Sequence, residues 1–388
     1  MKIVIAPDSF KESLDALAVA TAIETGFKRV FPHAQYDLIP MADGGEGTVQ
    51  SLVDATQGRI ERVSVTGPLG ECVRAFFGVS GDGKTAFIEM SAASGLHLVP
   101  VAQRNPLTTT SYGTGELIKA ALDQGAKRII LGLGGSATND VGAGMLQALG
   151  ARFFDAQGRS VAWGGAALAS LAQMDLSQLD ARLADVRIQL ACDVDNPLCG
   201  VRGASAVFGP QKGATPAQVT QLDAALAHFA SVVTQQTGRD IANIAGAGAA
   251  GGMGGGLMLL PHAQLQSGVQ IVAEAVRLAE RVCDADLVIT GEGRMDGQSV
   301  HGKTPIGVAR VAKQFDKPVI AIVGSLGDDY RCVYEHGVDA VFPIIRQTDA
   351  LPEVLQQAQS NLVSCAENVA KLLNLNLNAI EGLMIRNE

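Results

Sequence analysis

The sequence has no C-x-x-C pair and no basic excess, and each shortage closes off a class of function. Its six cysteines, at positions 72, 192, 199, 283, 332 and 365, include no zinc-knuckle spacing, and no His pair at i, i+4 accompanies them. They read as six reduced thiols, which places the chain in the cytoplasm. A formal net charge of −9 argues against a general nucleic-acid binder and against an anionic membrane surface. It leaves a nucleotide ligand open, because local loops decide that. The first residues, "MKIVIAPDSF", lack the long apolar core and small-residue cleavage site of a signal peptide. Residues 241–273 contain no Asp, Glu, Lys or Arg, yet eight glycines, Pro261, His262 and several Gln interrupt them. A membrane span needs about 20 predominantly apolar residues, so this reads as a Gly-rich loop and packing segment. No G-x-G-x-x-G follows the first apolar run, and no G-x-S-x-G or H-E-x-x-H occurs.

What is abundant is small and apolar. The chain is 47% hydrophobic with 45 glycines in 388 residues, enough for substantial cores and for close helix–sheet packing. That length favours two domains over one. "KIVIA" reads as a buried strand, followed by a helix with Leu17, Ala20, Ile23, Phe27 and Val30 on one face. "YDLIPM" is a second strand and "GTVQSLVDAT" a second helix. Then "RIERVSVTG", "VRAFFGVSG" and "TAFIEMS" follow as consecutive strands, an antiparallel or mixed region. Further on come a helix near 115–123, the strand "RIIL", the strand "VRIQLACDV" and a long helix over 216–235. Strand–helix alternation resumes at "DLVIT", "PIGVARVAKQF", "PVIAIVG" and "DAVFPII", and a last helix is expected over 351–373. The reading is an α/β chain of two domains. A Rossmann- or flavodoxin-like parallel-sheet domain is built from both chain ends, 1–64 plus 286–388, and a mixed α/β domain, 65–285, is inserted.

Ligands of open parallel sheets bind at the carboxyl ends of strands. Those ends carry "APDSFKES", "ADGGEG", "TGEGRMDGQS" and "VGSLGDD", with acids repeatedly beside Gly or Ser, a pattern suited to a ligand or Mg²⁺ crevice. Each loop has a plainer reading. Ser9-x-x-Glu12 matches a capping box. Lys11 balances an anion or is a solvated surface lysine. Asp43 and Glu46 complement a helix N-terminus. Arg294 grips a carboxylate or makes a surface ion pair. In the inserted region, "LGLGGSATND" runs from an apolar strand into a helix, offering free amides to an anion, with Ser136 and Thr138 hydroxyls beside them. Asn139 or Asp140 there caps a helix or binds metal. "ACDVDNPLCG" puts Asp193 and Asp195 at a strand end, and "FGPQKGAT" puts Lys212 before the long helix. The pattern G-x-x-x-x-G-K-[ST] occurs at 78–85 and 297–304. The first copy lies between two strands and reads as a hairpin. The second starts six residues past its strand and Pro305 follows at once, though Lys303 could still meet an anion.

Taken in order, "KIVIAPDSFKESL", "ADGGEGT", "SYGTGELI", "LGLGGSATND", "ACDVDNPLCG", "VFGPQKGAT", "GAGAAGGMG" and "ITGEGRMDGQS" resemble the bacterial-type glycerate kinase family. One departure is "DVGAG", where the family often has "GG" after the acid. The resemblance implies a two-domain kinase that phosphorylates D-glycerate with ATP, usually giving 2-phosphoglycerate, in the cleft between the domains. On that basis Gly134, Gly135, Ser136, Thr138 and Lys212 are expected at the nucleotide phosphates. Asp193, with Lys11, is expected to be catalytic, Asp193 orienting or deprotonating the glycerate hydroxyl. Ser9, Lys11 and Arg294 would hold the glycerate carboxylate, and Asp43 and Asp296 would hold Mg²⁺. The competing readings are a kinase giving 3-phosphoglycerate, a non-catalytic nucleotide sensor, and a nicotinamide dehydrogenase, which "APDSFK" in place of a Gly-rich fingerprint disfavours. No nucleic-acid or membrane partner is expected.

Overall fold

The computed structural model describes residues 1–45 and 47–375. They form two compact units, one of Met1–Ala42 with Ala273–Glu388 and one of Asp43–Val272.

The first unit holds an all-parallel sheet ordered Ala340–Pro343, Val319–Val323, Leu287–Thr290, Lys2–Ile5, Gln35–Leu38. Numbered along the unit, this is the 2-1-3-4-5 order of flavodoxin-like sheets. The central runs are almost purely Val, Ile and Leu and are buried, as strands covered on both faces must be. Helix Ala16–Lys28 buries Val19, Ala20, Ile23 and Phe27. Leu17, expected on that face, is exposed instead. Gly26 lets helix Ala358–Leu373 pack closely, for a Cβ there would lie 2.5 Å from the Val363 carbonyl oxygen. The single helix expected over 351–373 is two, Leu351–Gln356 and Ala358–Leu373, and Leu372 is exposed.

The second unit holds a six-stranded mixed sheet ordered Ala263–Gln266, Arg187–Ala191, Arg128–Gly132, Thr85–Glu89, Cys72–Val79, Arg59–Thr66. Its first four strands are parallel and the last two antiparallel. The 78–85 segment is the hairpin turn expected of it, joining Cys72–Val79 to Thr85–Glu89. Helix Pro216–Thr237 starts from a capping box of Thr215 and Gln218 and buries Leu222, Leu226, Phe229 and Val233. Phe229 meets Phe153 edge-on at 5.8 Å. Residues 241–273 form turns, helix Met253–Leu257 and strand Ala263–Gln266. Among the described residues no helix is long and apolar enough to cross a membrane.

The units divide at 42/43 and 272/273, not at 64/65 and 285/286. Helix Thr48–Ala55 belongs to the inserted unit because Gly78 leaves room for Val49 and Val53 to pack on its sheet, and because the Val49 amide donates to Glu89 Oε1 at 2.9 Å. Helix Leu278–Val282 belongs to the first unit, where Arg281 pairs with Asp37 and its carbonyl accepts from Lys2 Nζ at 2.7 Å.

Candidate functional site

Three parallel strands of the inserted unit deliver the chemistry-bearing residues at their carboxyl ends. Glu89 ends Thr85–Glu89. Gly134 and Gly135 follow Arg128–Gly132, and Asp193 follows Arg187–Ala191. The segment 43–45 lies over two of these ends: a Cβ on Gly44 would come 2.7 Å from the Ala191 Cβ, and one on Gly132 would come 2.6 Å from the Gly44 carbonyl oxygen. Glycine is required at Gly44, which also has φ +96°.

Gly134 and Gly135 are exposed and line a cavity of about 360 Å³ with Gly47, Gln50, Phe76, Glu89, Ser91 and His97. Among the described residues, nothing accepts a hydrogen bond from the amides of Gly134, Gly135 or Ser136. The carbonyls of the same loop are taken: Gly135 O accepts from Leu96 N at 2.8 Å, and Ala137 O from Thr109 Oγ1 at 3.0 Å. Ser136, Thr138 and Lys212, expected on the same surface, lie beneath it. Ser136 is 6%, Thr138 0% and Lys212 2% exposed. Lys212 Nζ donates to Ser136 Oγ at 2.8 Å and to the Thr138 carbonyl at 2.6 Å. Burial pulls its ammonium down to about 7, and the Asp140 charge opposes that. Asp140 is a buried cap, accepting from Ser111 Oγ at 2.7 Å and from the amides of Ser111, Gly142 and Gly144. Burial raises its pKa while those donors hold it down.

Asp193 is exposed, and its Oδ1 accepts from Gly268 N at 3.0 Å and Ser267 Oγ at 3.1 Å. Desolvation pushes its carboxyl up to about 6. The two donors oppose that, and the charge of Asp43 adds to it. Asp43 is itself partly buried, with Oδ1 accepting from Gly45 N at 3.0 Å. Gly268 is the fulcrum: a Cβ there would stand 1.7 Å from the Asp43 carbonyl oxygen and 3.0 Å from Asp193 Oδ2. Sequence reasoning missed Ser267, Gly268 and Glu89. The Ser-Gly pair after a short strand, and an acid ending an apolar one, were the available signals.

In the first unit, residues 9–14 form a turn rather than a helix start, with Phe10 bridging Leu14. Glu12 sits at φ +63°, so Ser9 and Glu12 make no capping box, and Asp15 caps the helix through Ala18 N instead. Ser9 N donates to Asp8 Oδ1 at 2.7 Å, while Asp8 Oδ2 accepts from Thr304 Oγ1 at 2.6 Å. Lys11 is exposed, and its backbone passes over Gly293. Arg294 and Asp296 are brought together, Nε to Oδ2 at 3.5 Å, and Lys303 Nζ is 4.0 Å from Asp296 Oδ1. Lys303 also approaches buried Glu292 at 3.4 Å, whose other oxygen accepts from Ser299 Oγ at 2.5 Å. Desolvation raises the Glu292 pKa against both partners. Lys303 precedes helix Thr304–Lys313 as its N-cap residue, so the anions it meets are carboxylates of its own chain. Among the described residues no three His, Cys, Asp or Glu side chains gather as a metal cage.

A family model described as the glycerate kinase family matches residues 3–374. A glycerate kinase of Haemophilus influenzae is 66% identical over 373 residues, covering 96% of this chain and 99% of that one. A glycerate 2-kinase of Escherichia coli is 56% identical over 377 residues, covering 97% and 99%. A crystal structure from Salmonella typhimurium LT2, provisionally named glycerate kinase 2, superposes with a TM-score of 0.89 at 57% identity, covering 96% of this chain and 98% of that one.

Proposed function

Because this chain belongs to the glycerate kinase family, we propose that it transfers the γ-phosphoryl group of ATP to the 2-hydroxyl of D-glycerate, giving 2-phosphoglycerate and ADP. As a family member it is a phosphotransferase acting on an alcohol group. The choice of the 2-hydroxyl is supported by the name of the Escherichia coli relative. The observation that carries the site assignment is the pair of exposed glycines, Gly134 and Gly135, which line the 360 Å³ cavity and whose amides have no acceptor among the described residues. Outward amides at the end of a parallel strand suit an anion.

Phosphoryl transfer asks a protein for positioning and charge neutralisation more than for covalent chemistry. Gly134 and Gly135 would hold phosphate oxygens from the backbone. Asp193 Oδ1 is fixed by Gly268 and Ser267, which leaves Oδ2 to accept the glycerate hydroxyl proton as the oxygen attacks phosphorus. A carboxyl held near 6 is ionised at neutral pH and a better base than a free aspartate. Ser9, Lys11 and Arg294 remain the proposed holders of the glycerate carboxylate, with the Asp296 pairing of Arg294 setting its orientation. For Mg²⁺, the donor set around Asp43 fits: it is a hard carboxylate close enough to Asp193 to raise that group's pKa, and Mg²⁺ takes one or two carboxylates with the rest of its shell from water and phosphates. Bound there, Mg²⁺ would neutralise phosphate charge. Asp296 fits less well, because Arg294 and Lys303 already face it.

The test is a coupled assay with ATP, Mg²⁺ and D-glycerate, with phosphorus NMR of the product. A 2-phosphate resonance is expected. A 3-phosphate resonance overturns the regiochemistry, and tight ATP binding without turnover overturns the kinase in favour of a sensor.

A further inference from the structure

We infer that Lys212 is a positioning residue that holds the nucleotide loop from behind, fixing the outward amides of Gly134 and Gly135 through Ser136 Oγ and the Thr138 carbonyl, rather than touching phosphate itself. The inference rests on the reading of that loop as the nucleotide site.

The geometry excludes direct contact in this conformation. An ammonium that grips a ligand phosphate needs a path to the surface, and Lys212 is 2% exposed with Nζ bonded to Ser136 Oγ at 2.8 Å and Thr138 O at 2.6 Å. Burying a charge is costly unless it is paired and hydrogen-bonded, and the carbonyl and hydroxyl it meets belong to the loop that carries the exposed Gly134 and Gly135.

The turn that aims Lys212 inward is itself rigid. Lys212 N donates to Gly209 O at 3.0 Å, Gly213 N to Pro210 O at 3.0 Å and Ala214 N to Gly209 O at 3.1 Å. Gly213 sits at φ +93° with its Cβ position 2.6 Å from the Arg104 carbonyl oxygen, so no larger residue reproduces the turn. The Thr215 cap then anchors the turn to helix Pro216–Thr237.

The loop's carbonyls are tied on its inner side, which fixes the course of the backbone that carries the amides of Gly134 and Gly135. A trans peptide is planar, with its N–H opposite its C=O. The Gly135 carbonyl points to Leu96 N, so the Ser136 N–H faces the other way. Farther along, the Ala137 carbonyl is held by Thr109, the Asn139 amide group by Ser205 Oγ at 2.9 Å, and the Thr138 carbonyl by Lys212. Among the described residues, Lys212 is the one side chain that bonds two residues of the loop at once. Without it, the Ser136 hydroxyl and the buried Thr138 carbonyl lose their donor, and the loop that carries Gly134 and Gly135 loses that anchor.

The experiment compares Lys212→Met with Lys212→Gln, measuring ATP affinity by calorimetry and KM for each substrate. Both variants lose the charge, and only Gln keeps hydrogen-bond donors. Lys212→Met is expected to weaken ATP binding by about ten- to a hundredfold, with the KM for glycerate changed less than about twofold and Lys212→Gln recovering part of the loss. Should Lys212→Met be insoluble, Ser136→Ala removes one acceptor of the same tie and is expected to give a smaller, still ATP-selective loss. Gly134→Val separates the two levels of the argument. Its Cβ has space, with Gly45 Cα 3.7 Å away, so it adds bulk to the cavity wall without displacing a neighbour at that atom. If Gly134→Val weakens ATP binding and Lys212→Met does not, the positioning role is overturned alone. If Gly134→Val binds ATP normally, the loop is not the nucleotide site and both readings fail. Equal losses toward ATP and glycerate in Lys212→Met would mark a general structural role and also overturn the inference.

Discussion

Asp193→Asn should make the protein more stable and nearly inactive, and the two effects share one cause. The native environment raises the Asp193 carboxyl from 3.8 to about 6, chiefly by desolvation. Such a rise corresponds to a ceiling of about 3 kcal/mol against the ionised native state. Asp193 is exposed, so solvent screening brings the figure down to about 1 kcal/mol. Asn keeps the oxygen that accepts from Gly268 N and Ser267 Oγ, so the gain is not offset by orphaned donors. The sign follows from linkage. The native state binds this proton more tightly than the unfolded chain, so the wild-type penalty is full above about pH 6 and fades as pH falls toward 3.8. Thermal unfolding at pH 8 should therefore show Asp193→Asn melting about 1–2 °C above wild type, with the gap closing near pH 4. Turnover should drop by about 10²–10⁴ for loss of a general base. A gap that is absent at pH 8, or as large at pH 4, refutes the desolvation argument. A variant with wild-type kcat refutes the base assignment.

The same group sets the acid limb of the kcat/KM profile, which reports the enzyme before Mg²⁺ and substrates bind: kcat/KM is expected to fall below about pH 6 as Asp193 takes its proton, and a flat profile down to pH 5 would contradict this. Gly268→Ala places a Cβ 1.7 Å from the Asp43 carbonyl. Segment 43–45 must then move, so activity should fall at least about tenfold, seen as kcat/KM in the coupled assay. Lys84→Ala, in the hairpin that mimics a P-loop, should leave KM for ATP within about twofold and melting nearly unchanged, as an exposed surface substitution does. Phe229→Ala, fully buried against Phe153, should cost about 3–5 kcal/mol by denaturant titration.

The strand–helix alternation was legible because fully buried parallel strands are uninterrupted apolar runs, as at Lys2–Ile5 and Val319–Val323. The unit boundary was not. The apolar stripe of Thr48–Ala55 says that the helix packs on a sheet but not on which one, and the answer lies with Gly78. At the site, glycines after a strand marked Gly134 and Gly135 as amide donors for an anion, and the structure leaves both exposed. That Ser136 and Thr138 turn inward depends on Lys212, a partner 74 to 76 positions away along the chain. Gly268 was invisible for the same reason, since its necessity is a distance to Asp43. Arg294 and Asp296 were read as separate binders, and only the folded loop sets them beside one another.

The split first unit has a consequence for how the chain is made. Its strand Lys2–Ile5 leaves the ribosome long before Leu287–Thr290, one of its two sheet neighbours, and the Lys2 amide waits for Asp286, 284 positions later. At about 5–20 residues per second that interval is roughly fifteen seconds to a minute. Asp43–Val272 is continuous in sequence and can close its own core meanwhile. A nascent chain that has emerged from the ribosome just past residue 272 thus carries a complete inserted unit and a hydrophobic strand edge with no partner, the kind of surface on which chaperones and aggregation compete.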